Sequence, residues 1–246
     1  EPSEVYDAAR FAEDAERMIA ELLEEGITPL VVGGTGFYLE SLFEGLFEGA
    51  GRFPEVRDAL IVRAESKGIN ALHAELARVD PESAERIHRN DTSRVIRALE
   101  VFEATGRPLS DWQREPPRRP AYRARYVGLG LERTLLVERI ERRVEAMLES
   151  GLVAEIEGLV ASGRLASGMP GASAVGYREL LPLVESGRAD ADAVAAATEQ
   201  IKTNTRRYAK RQMTWLRSIA GLEWFDAEGT DPEGVAERIL TSRSSG

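Results

Sequence analysis

The side chains best suited to chemistry in this sequence are cationic, and they cluster without acidic neighbours. Between Ile201 and Arg217 stand Lys202, Arg206, Arg207, Lys210, Arg211 and Arg217, with no Asp or Glu among them. Lys202, Arg206 and Lys210 fall at i, i+4 and i+8 on one side of a helix, with Arg207 and Arg211 beside them. Like charges at that spacing repel, so a run without acids points to a polyanionic partner; the plain alternative is a core helix with a solvated basic face. A second cluster runs Arg86-Ile-His-Arg-Asn-Asp-Thr-Ser-Arg-Val-Ile-Arg97 across a predicted helix start. Asp91 or Thr92 can cap that helix, while Ser93, Arg94 and Arg97 project from its first turns toward a phosphate backbone. Arg57 and Arg63 either extend this surface or are ordinary surface charge. His88 reads as a structural hydrogen-bonder rather than a base.

Two glycine-flanked stretches offer helix N-termini. Leu30-Val31-Val32 reads as a short buried strand, and Gly33-Gly34-Thr35-Gly36 turns the chain into a helix over Tyr38 to Phe47. Free N–H groups beside the Thr35 hydroxyl, at the carboxyl end of a strand, suit an anionic or polar ligand. No Gly-Lys-Ser/Thr follows, so this is not a Walker A loop. Taken alone, the glycines serve the turn equally well. In Gly171-Ala-Ser-Ala-Val-Gly-Tyr-Arg178, Ser173 is expected to cap a helix running to Val184. Gly176 inside that helix would cost ~1 kcal/mol relative to Ala, which points to a close approach by a ligand or another backbone. Arg178 then meets an anion or pairs with a glutamate.

The elements needed to hold these groups follow from periodicity. Phe11, Ala15, Met18, Leu22 and Leu23 recur at helical spacing, with Gly26 closing the helix. Residues 52–120 read as all-helical, with Asp80-Pro81 and Asn90-Asp-Thr92 as helix starts, Gly106 as a helix stop, and the Pro- and Arg-rich Arg114 to Pro120 as an exit linker. Tyr126 to Leu131 reads as a second buried strand, Leu135 to Leu148 and Leu152 to Val160 as helices, and Ala193 to about Ala220 as the longest helix. Leu222 to Asp226 is a last strand, before a final helix and a disordered Ser/Gly tail. The segments divide as 1–50 (core, first part), 51–120 (helical insertion, bounded near Gly49-Ala-Gly51) and 121–246 (core, second part). That is an α/β protein with an inserted all-helical subdomain.

Composition removes several classes. Without cysteine there are no disulfides or thiolate zinc sites, and two histidines are too few for a histidine metal site. No Ser/His/Asp set and no close acid pair stands out. No apolar run reaches membrane-spanning length, so a soluble, cytoplasmic protein without a membrane partner is expected. The net charge of −10 argues mildly against a protein coated in nucleic acid, although the segregated signs still permit one anion-holding side. The sequence contains no signal peptide and its first residue is Glu rather than Met, so the chain is expected to be the interior of a longer protein. The residues themselves lead to a phosphate- or nucleic-acid-handling protein and name no reaction.

Together the motifs resemble the tRNA dimethylallyltransferase (tRNA isopentenyltransferase) family. The matching strings are Val31-Val-Gly-Gly-Thr-Gly-Phe-Tyr-Leu-Glu-Ser-Leu42, Arg86 through Phe102, Thr105-Gly-Arg-Pro-Leu-Ser110, Ala174-Val-Gly-Tyr-Arg-Glu179 and Asn204 through Arg217, in the family's order and spacing. The resemblance implies a P-loop-NTPase-like parallel sheet core, here partial because the N-terminal strands are missing. It implies a nucleotide-binding (ATP-binding) type of fold and transfer of a dimethylallyl group from its diphosphate to the N6 amine of the adenosine 3′ of the anticodon, with magnesium. Thr35 and Arg57 would contact the tRNA, and Ser93, Arg94, Val95, Ile96 and Arg97 would grip the anticodon stem-loop backbone. Ser173, Ala174, Val175, Gly176, Tyr177 and Arg178 would border the substrate channel. Lys210 and Arg211 would add positive potential, and the inserted helices would clamp the anticodon arm.

The family's Gly-Lys-Thr/Ser phosphate loop and the general-base Asp after it would precede Glu1. An inactive, N-terminally truncated representative is therefore expected, with no catalytic residue and no metal ligand in this chain. Many relatives carry Arg or Gln at the Ser173 position. A monomer is expected. Two alternatives stand beside this reading: an adenylate dimethylallyltransferase acting on free nucleotide, and a non-catalytic RNA-binding module.

Overall fold

A computed structural model of the chain describes residues 1–45, 51–115, 123–228 and 231–242. Three sequence features lie partly or wholly outside them: the Gly49-Ala50 boundary with the end of the preceding helix, most of the Arg114 to Pro120 stretch, and the terminal Ser/Gly tail. The described residues are mostly helical, with one small parallel sheet. They form two compact units: Glu1–Phe11, Thr28–Leu39 and Arg123–Gly246 in the first, and Ala12–Ile27 and Glu40–Tyr122 in the second.

In the first unit, β1 (Val127–Gly130) pairs in parallel with β2 (Glu223–Asp226), Val127 opposite Glu223 and Gly130 opposite Asp226. The chain between them carries α8 (Arg133–Glu149), α9 (Leu152–Ala161), α10 (Tyr177–Glu185) and α11 (Ala191–Leu216). Parallel strands need such a crossover. Val144, Ile156, Leu180, Leu181 and Ile201 bury the apolar stripes of these four helices against one another. The last element is α12 (Pro232–Thr241), capped by Asp231.

The second unit holds α3 (Pro54–Lys67), α4 (Ile69–Val79), α5 (Pro81–Arg86), α6 (Thr92–Thr105) and α7 (Leu109–Gln113). Leu60, Leu72, Leu76, Val95, Leu99 and Val101 form its core. Asp80 is buried. Its Oδ1 accepts from the Ser83 N–H at 3.0 Å, capping α5, and its Oδ2 accepts from the Ser110 N–H at 3.0 Å in α7. The helical reading of this region holds for the described residues. Helix α1 (Ala8–Glu24) is also as expected, but it buries Ala8, Ala12 and Ile19 and leaves Met18 and Leu23 exposed. Helix α2 (Gly36–Phe43) follows the glycine turn.

Three local expectations fail. Leu30-Val31-Val32 is not a strand, and Leu30 and Val32 are 85 % and 84 % exposed. A buried parallel strand needs neighbours to take its ladder hydrogen bonds, and no described strand lies beside it. The strand β1 forms, yet Leu129 is exposed, because a two-stranded sheet covers little of its own face. Ser173 does not cap α10. It ends a short 3-10 turn, Pro170–Ser173, with its hydroxyl donating to the Pro170 carbonyl at 2.9 Å.

Candidate functional site

Helix α11 organises the first unit's candidate site. Asn204, Tyr208, Gln212 and Trp215 step by four, four and three residues along one face, a rise of about 16 Å at 1.5 Å per residue. The glycine turn rests on this stripe. Gln212 Nε2 donates to the Gly34 carbonyl at 2.9 Å, and the Thr35 and Tyr208 hydroxyls lie 3.4 Å apart. A Cβ on Gly36 would stand 2.4 Å from the Trp215 ring, so only glycine lets α2 begin there. Thr35 remains exposed.

At the other end of the stripe, Asn204 Nδ2 donates to Glu179 at 2.7 Å. The residue starting α10 is Gly176, whose φ of +102° favours glycine, and its N–H is taken by the Glu179 carboxylate at 2.8 Å. Gly176 therefore lies at the helix boundary rather than within the helix. Ser173, Ala174 and Arg178 are exposed, and Val175 and Tyr177 are half-buried. The Tyr177 hydroxyl donates to Glu155, and that bond together with burial pushes its pKa up to about 12. Tyr177 is thus a neutral phenol rather than a base. Arg178 pairs with Glu179, the glutamate partner that the sequence left open as an alternative to an anion.

The cationic face of α11 is only partly unpaired. Lys202 meets Glu145 at 2.9 Å and Glu199 at 3.0 Å, and these contacts, Glu145 foremost, raise its pKa. Arg206 meets Glu141 at 2.9 Å. The acid-free run is therefore not unpaired here: α8 supplies Glu141 and Glu145 from another part of the sequence, and Glu199 of α11 itself stands just upstream of the run. Arg207, Lys210 and Arg211 are exposed, with no acidic partner among the described residues. The Arg211 guanidinium lies 5.6 Å from the Tyr208 ring centre.

In the second unit, Asp91 caps α6 by accepting from the Arg94 N–H at 3.2 Å. Ser93 and Arg94 are exposed, with Arg94 also paired to Asp91. Val95 and Ile96 are buried at 0 % and 3 % exposure and the Val95 N–H donates to the Asp91 carbonyl at 3.0 Å, so both residues serve the core and the helix rather than a ligand. Arg57 Nη1 and Arg97 Nη1 both reach Glu100, whose side chain is 2 % exposed, at 3.0 and 2.9 Å. Glu100 also accepts from the Phe53 N–H at 3.0 Å. Arg63 is held by Glu103 and Glu75, Glu103 most strongly. His88 Nδ1 accepts from the Asn90 N–H at 3.2 Å, a structural role as expected.

The sequence reading missed Glu100 and Glu179. Glu100 was signalled as the one charge in the apolar run Ala98 to Phe102, and Glu179 as an acid three residues after a glycine at a helix start. Among the described residues no group of three or more His, Cys, Asp or Glu side chains could hold a metal ion.

A glycine turn seated on a cationic helix in one unit, and arginines at a helix start in the other, suit a protein that handles anions. Comparison with known proteins is more specific, for the IPP transferase family model matches residues 1–219, and the chain belongs to that family. The chain is 41 % identical over 243 residues to the tRNA dimethylallyltransferase of Carboxydothermus hydrogenoformans, covering 98 % of this chain and 76 % of that protein. It is 41 % identical over 240 residues to the tRNA dimethylallyltransferase of Geobacillus thermodenitrificans, covering 97 % and 74 %. Among solved structures, the tRNA isopentenylpyrophosphate transferase of Bacillus halodurans is similar with a TM-score of 0.62 at 34 % identity, covering 97 % of this chain and 73 % of that one. A eukaryotic dimethylallyltransferase acting on tRNA is similar with a TM-score of 0.75 at 27 % identity, covering 97 % and 61 %.

Proposed function

We propose that this chain acts in the transfer of a dimethylallyl group from dimethylallyl diphosphate to the N6 amine of the adenosine 3′ of the anticodon in tRNA. Family membership supplies the reaction class. The observation that carries the reading at residue level is the docking of the Gly34-Thr35-Gly36 turn on the Tyr208, Gln212 and Trp215 face of α11, next to exposed Lys210 and Arg211.

In the reaction the amine lone pair attacks the allylic carbon, the carbon–oxygen bond breaks, and its electron pair leaves with the diphosphate. The amine then loses a proton, for which none of the described residues is assigned as acceptor. The work left to them is binding. Arg207, Lys210 and Arg211 would supply positive potential toward RNA phosphates, Thr35 a hydroxyl at the turn, and the α6 start a grip through Ser93, Arg94 and Arg97. Arg57 and Arg178 complete the proposed set, with Ser173 to Tyr177 bordering the substrate channel. An adenine must leave its stack to reach such a site.

We also propose a P-loop-NTPase-like core of nucleotide-binding type, a monomeric state and a cytoplasmic location. No helix among the described residues is long and apolar enough to cross a membrane. Magnesium is proposed only as a companion of the diphosphate oxygens. The described residues offer no carboxylate cluster for it, and Mg²⁺ commonly binds through substrate phosphates with few protein ligands.

The test is incubation of the chain with labelled dimethylallyl diphosphate and either an anticodon stem-loop or AMP. Label in the stem-loop alone supports the proposal. Label in AMP alone would favour an adenylate dimethylallyltransferase. Salt-dependent stem-loop binding with no label in either acceptor, even when the family's upstream phosphate loop and general-base Asp are supplied ahead of Glu1, would leave an RNA-binding module.

A further inference from the structure

Glu179 ties the start of α10 to α11 with one carboxylate that serves three residues. Its Oε1 accepts from Arg178 Nε at 3.0 Å, Arg178 Nη2 at 2.7 Å and Asn204 Nδ2 at 2.7 Å. Its Oε2 accepts from the Gly176 N–H at 2.8 Å. The Glu179 side chain is only 5 % exposed, whereas that of Arg178 is 51 % exposed. Burial alone would push the Glu179 carboxyl up, but the bonds from Gly176, Arg178 and Asn204 hold it below the ordinary range, so it is ionised at neutral pH.

Consecutive helix residues do not normally face each other, so the Arg178–Glu179 pair is specific to this first turn. It uses the Nε/Nη2 edge of the guanidinium and leaves Nη1 without a hydrogen bond among the described residues. Arg178 and Glu179 stand at the edge of an open groove of about 480 Å³ between α10 and α11, whose other lining is Gln200 and Asn204 with the apolar Leu183, Ala193, Ala196 and Ala197. An arginine already held in one plane loses less freedom when it grips an oxyanion.

We propose that Glu179 is a positioning residue for RNA binding, holding Arg178 so that its Nη1 edge meets a phosphate in this groove. The inference rests on the tRNA reading above and deepens it. It also predicts an effect opposite in sign to simple electrostatics. Removing a negative charge beside an RNA site should tighten binding, whereas removing a positioning group should weaken it.

The test uses the full chain and an anticodon stem-loop RNA, with binding followed by fluorescence anisotropy across a salt series and folding checked by circular dichroism. Arg178→Ala is expected to weaken binding roughly 5- to 10-fold and to lower the salt slope by about one phosphate contact. Glu179→Gln, which cannot accept from all four donors, is expected to weaken binding several-fold. The double variant should be no weaker than Arg178→Ala alone, because the two residues act as one unit. Arg178→Lys, at an exposed position that tolerates the change, keeps the charge but loses the fork, and should lose most of the arginine's contribution. Unchanged or tighter binding by Glu179→Gln, additive effects in the double variant, or wild-type binding by Arg178→Lys would each overturn the positioning role. Wild-type affinity and salt slope in Arg178→Ala would instead remove the groove from the RNA surface altogether.

Discussion

Gln212 donates to the Gly34 carbonyl at 2.9 Å, joining two residues 178 positions apart in sequence. The bond satisfies a turn carbonyl from the side of α11, and one helical turn away Tyr208 faces the Thr35 hydroxyl. The turn therefore takes its place from the helix rather than from a sheet, since the residues before it form no strand.

That dependence makes Gly36 sensitive and Gly33 tolerant. An added Cβ at Gly36 falls 2.4 to 2.7 Å from ring atoms of Trp215, a rigid side chain that cannot swing clear, whereas one at Gly33 meets nothing within 4 Å. Gly36→Ala should destabilise the chain by about 1–3 kcal/mol, the usual cost of overpacking, with Gly33→Ala near neutral. Urea unfolding of the two variants checks this, and equal midpoints would mean that the turn does not rely on Trp215.

Glu100 should matter more for the second unit than its single charge suggests. Its buried carboxylate serves the Phe53 N–H, Arg57 and Arg97 together. In Glu100→Gln the amide offers one oxygen and turns donors toward donors, so about 3 kcal/mol of stability should be lost, as when a buried pair is broken from one side. Chemical denaturation measures the loss. A change below a few tenths of a kcal/mol would show that Arg57 and Arg97 hold their places without it.

The contrast between these sites shows what the linear order of residues can reveal. Helices α3 to α6 and α11 were legible because their apolar residues recur at helical spacing, and Asp80, Asp91 and Gly106 mark their ends by local chemistry. Leu30 to Val32 misled, since a run of apolar residues shows a wish for burial and not whether neighbouring strands are present. The basic run of α11 also read as unpaired, because Glu141 and Glu145 lie some sixty residues earlier on α8 and Glu199 stands just ahead of the run. Ser173 looked like a cap, but the left-handed φ at Gly176 moved the start of α10 three residues on. The family motifs located the candidate site, yet they could not say that Val95 and Ile96 face the core, or that one glutamate in each unit holds a candidate arginine.

Pairing across helices also separates cations open to an RNA partner from cations already committed to carboxylates. Lys202 is 12 % exposed and committed to Glu145 and Glu199, whereas Lys210 is exposed with no such partner among the described residues. Lys210→Ala should lower the slope of log affinity against log salt for a stem-loop RNA by about 0.7–0.9, one phosphate's worth of released counterions. Lys202→Ala should leave that slope unchanged while lowering stability. A titration in which Lys202→Ala changes the slope and Lys210→Ala does not would reverse the assignment of the RNA-facing side of α11.

Stability should fall in acid through Asp80 and Glu179. Burial would raise both carboxyls, but hydrogen bonds from Ser83 and Ser110 hold Asp80 below its ordinary 3.8, and those from Gly176, Arg178 and Asn204 hold Glu179 below its ordinary 4.5. A carboxyl depressed in the folded state binds its proton more readily when unfolded, so its contribution is complete above the unfolded value and disappears as pH falls through the folded one. Urea unfolding should therefore show constant support from Glu179 above about pH 4.5 and from Asp80 above about pH 4, with loss of both on further acidification. Glu179→Gln removes its share of the acid sensitivity and should flatten the profile below pH 4.5, while Asp80→Asn flattens only its most acidic end. Profiles parallel to that of the unmodified chain in both variants would mean that other carboxylates govern its acid unfolding.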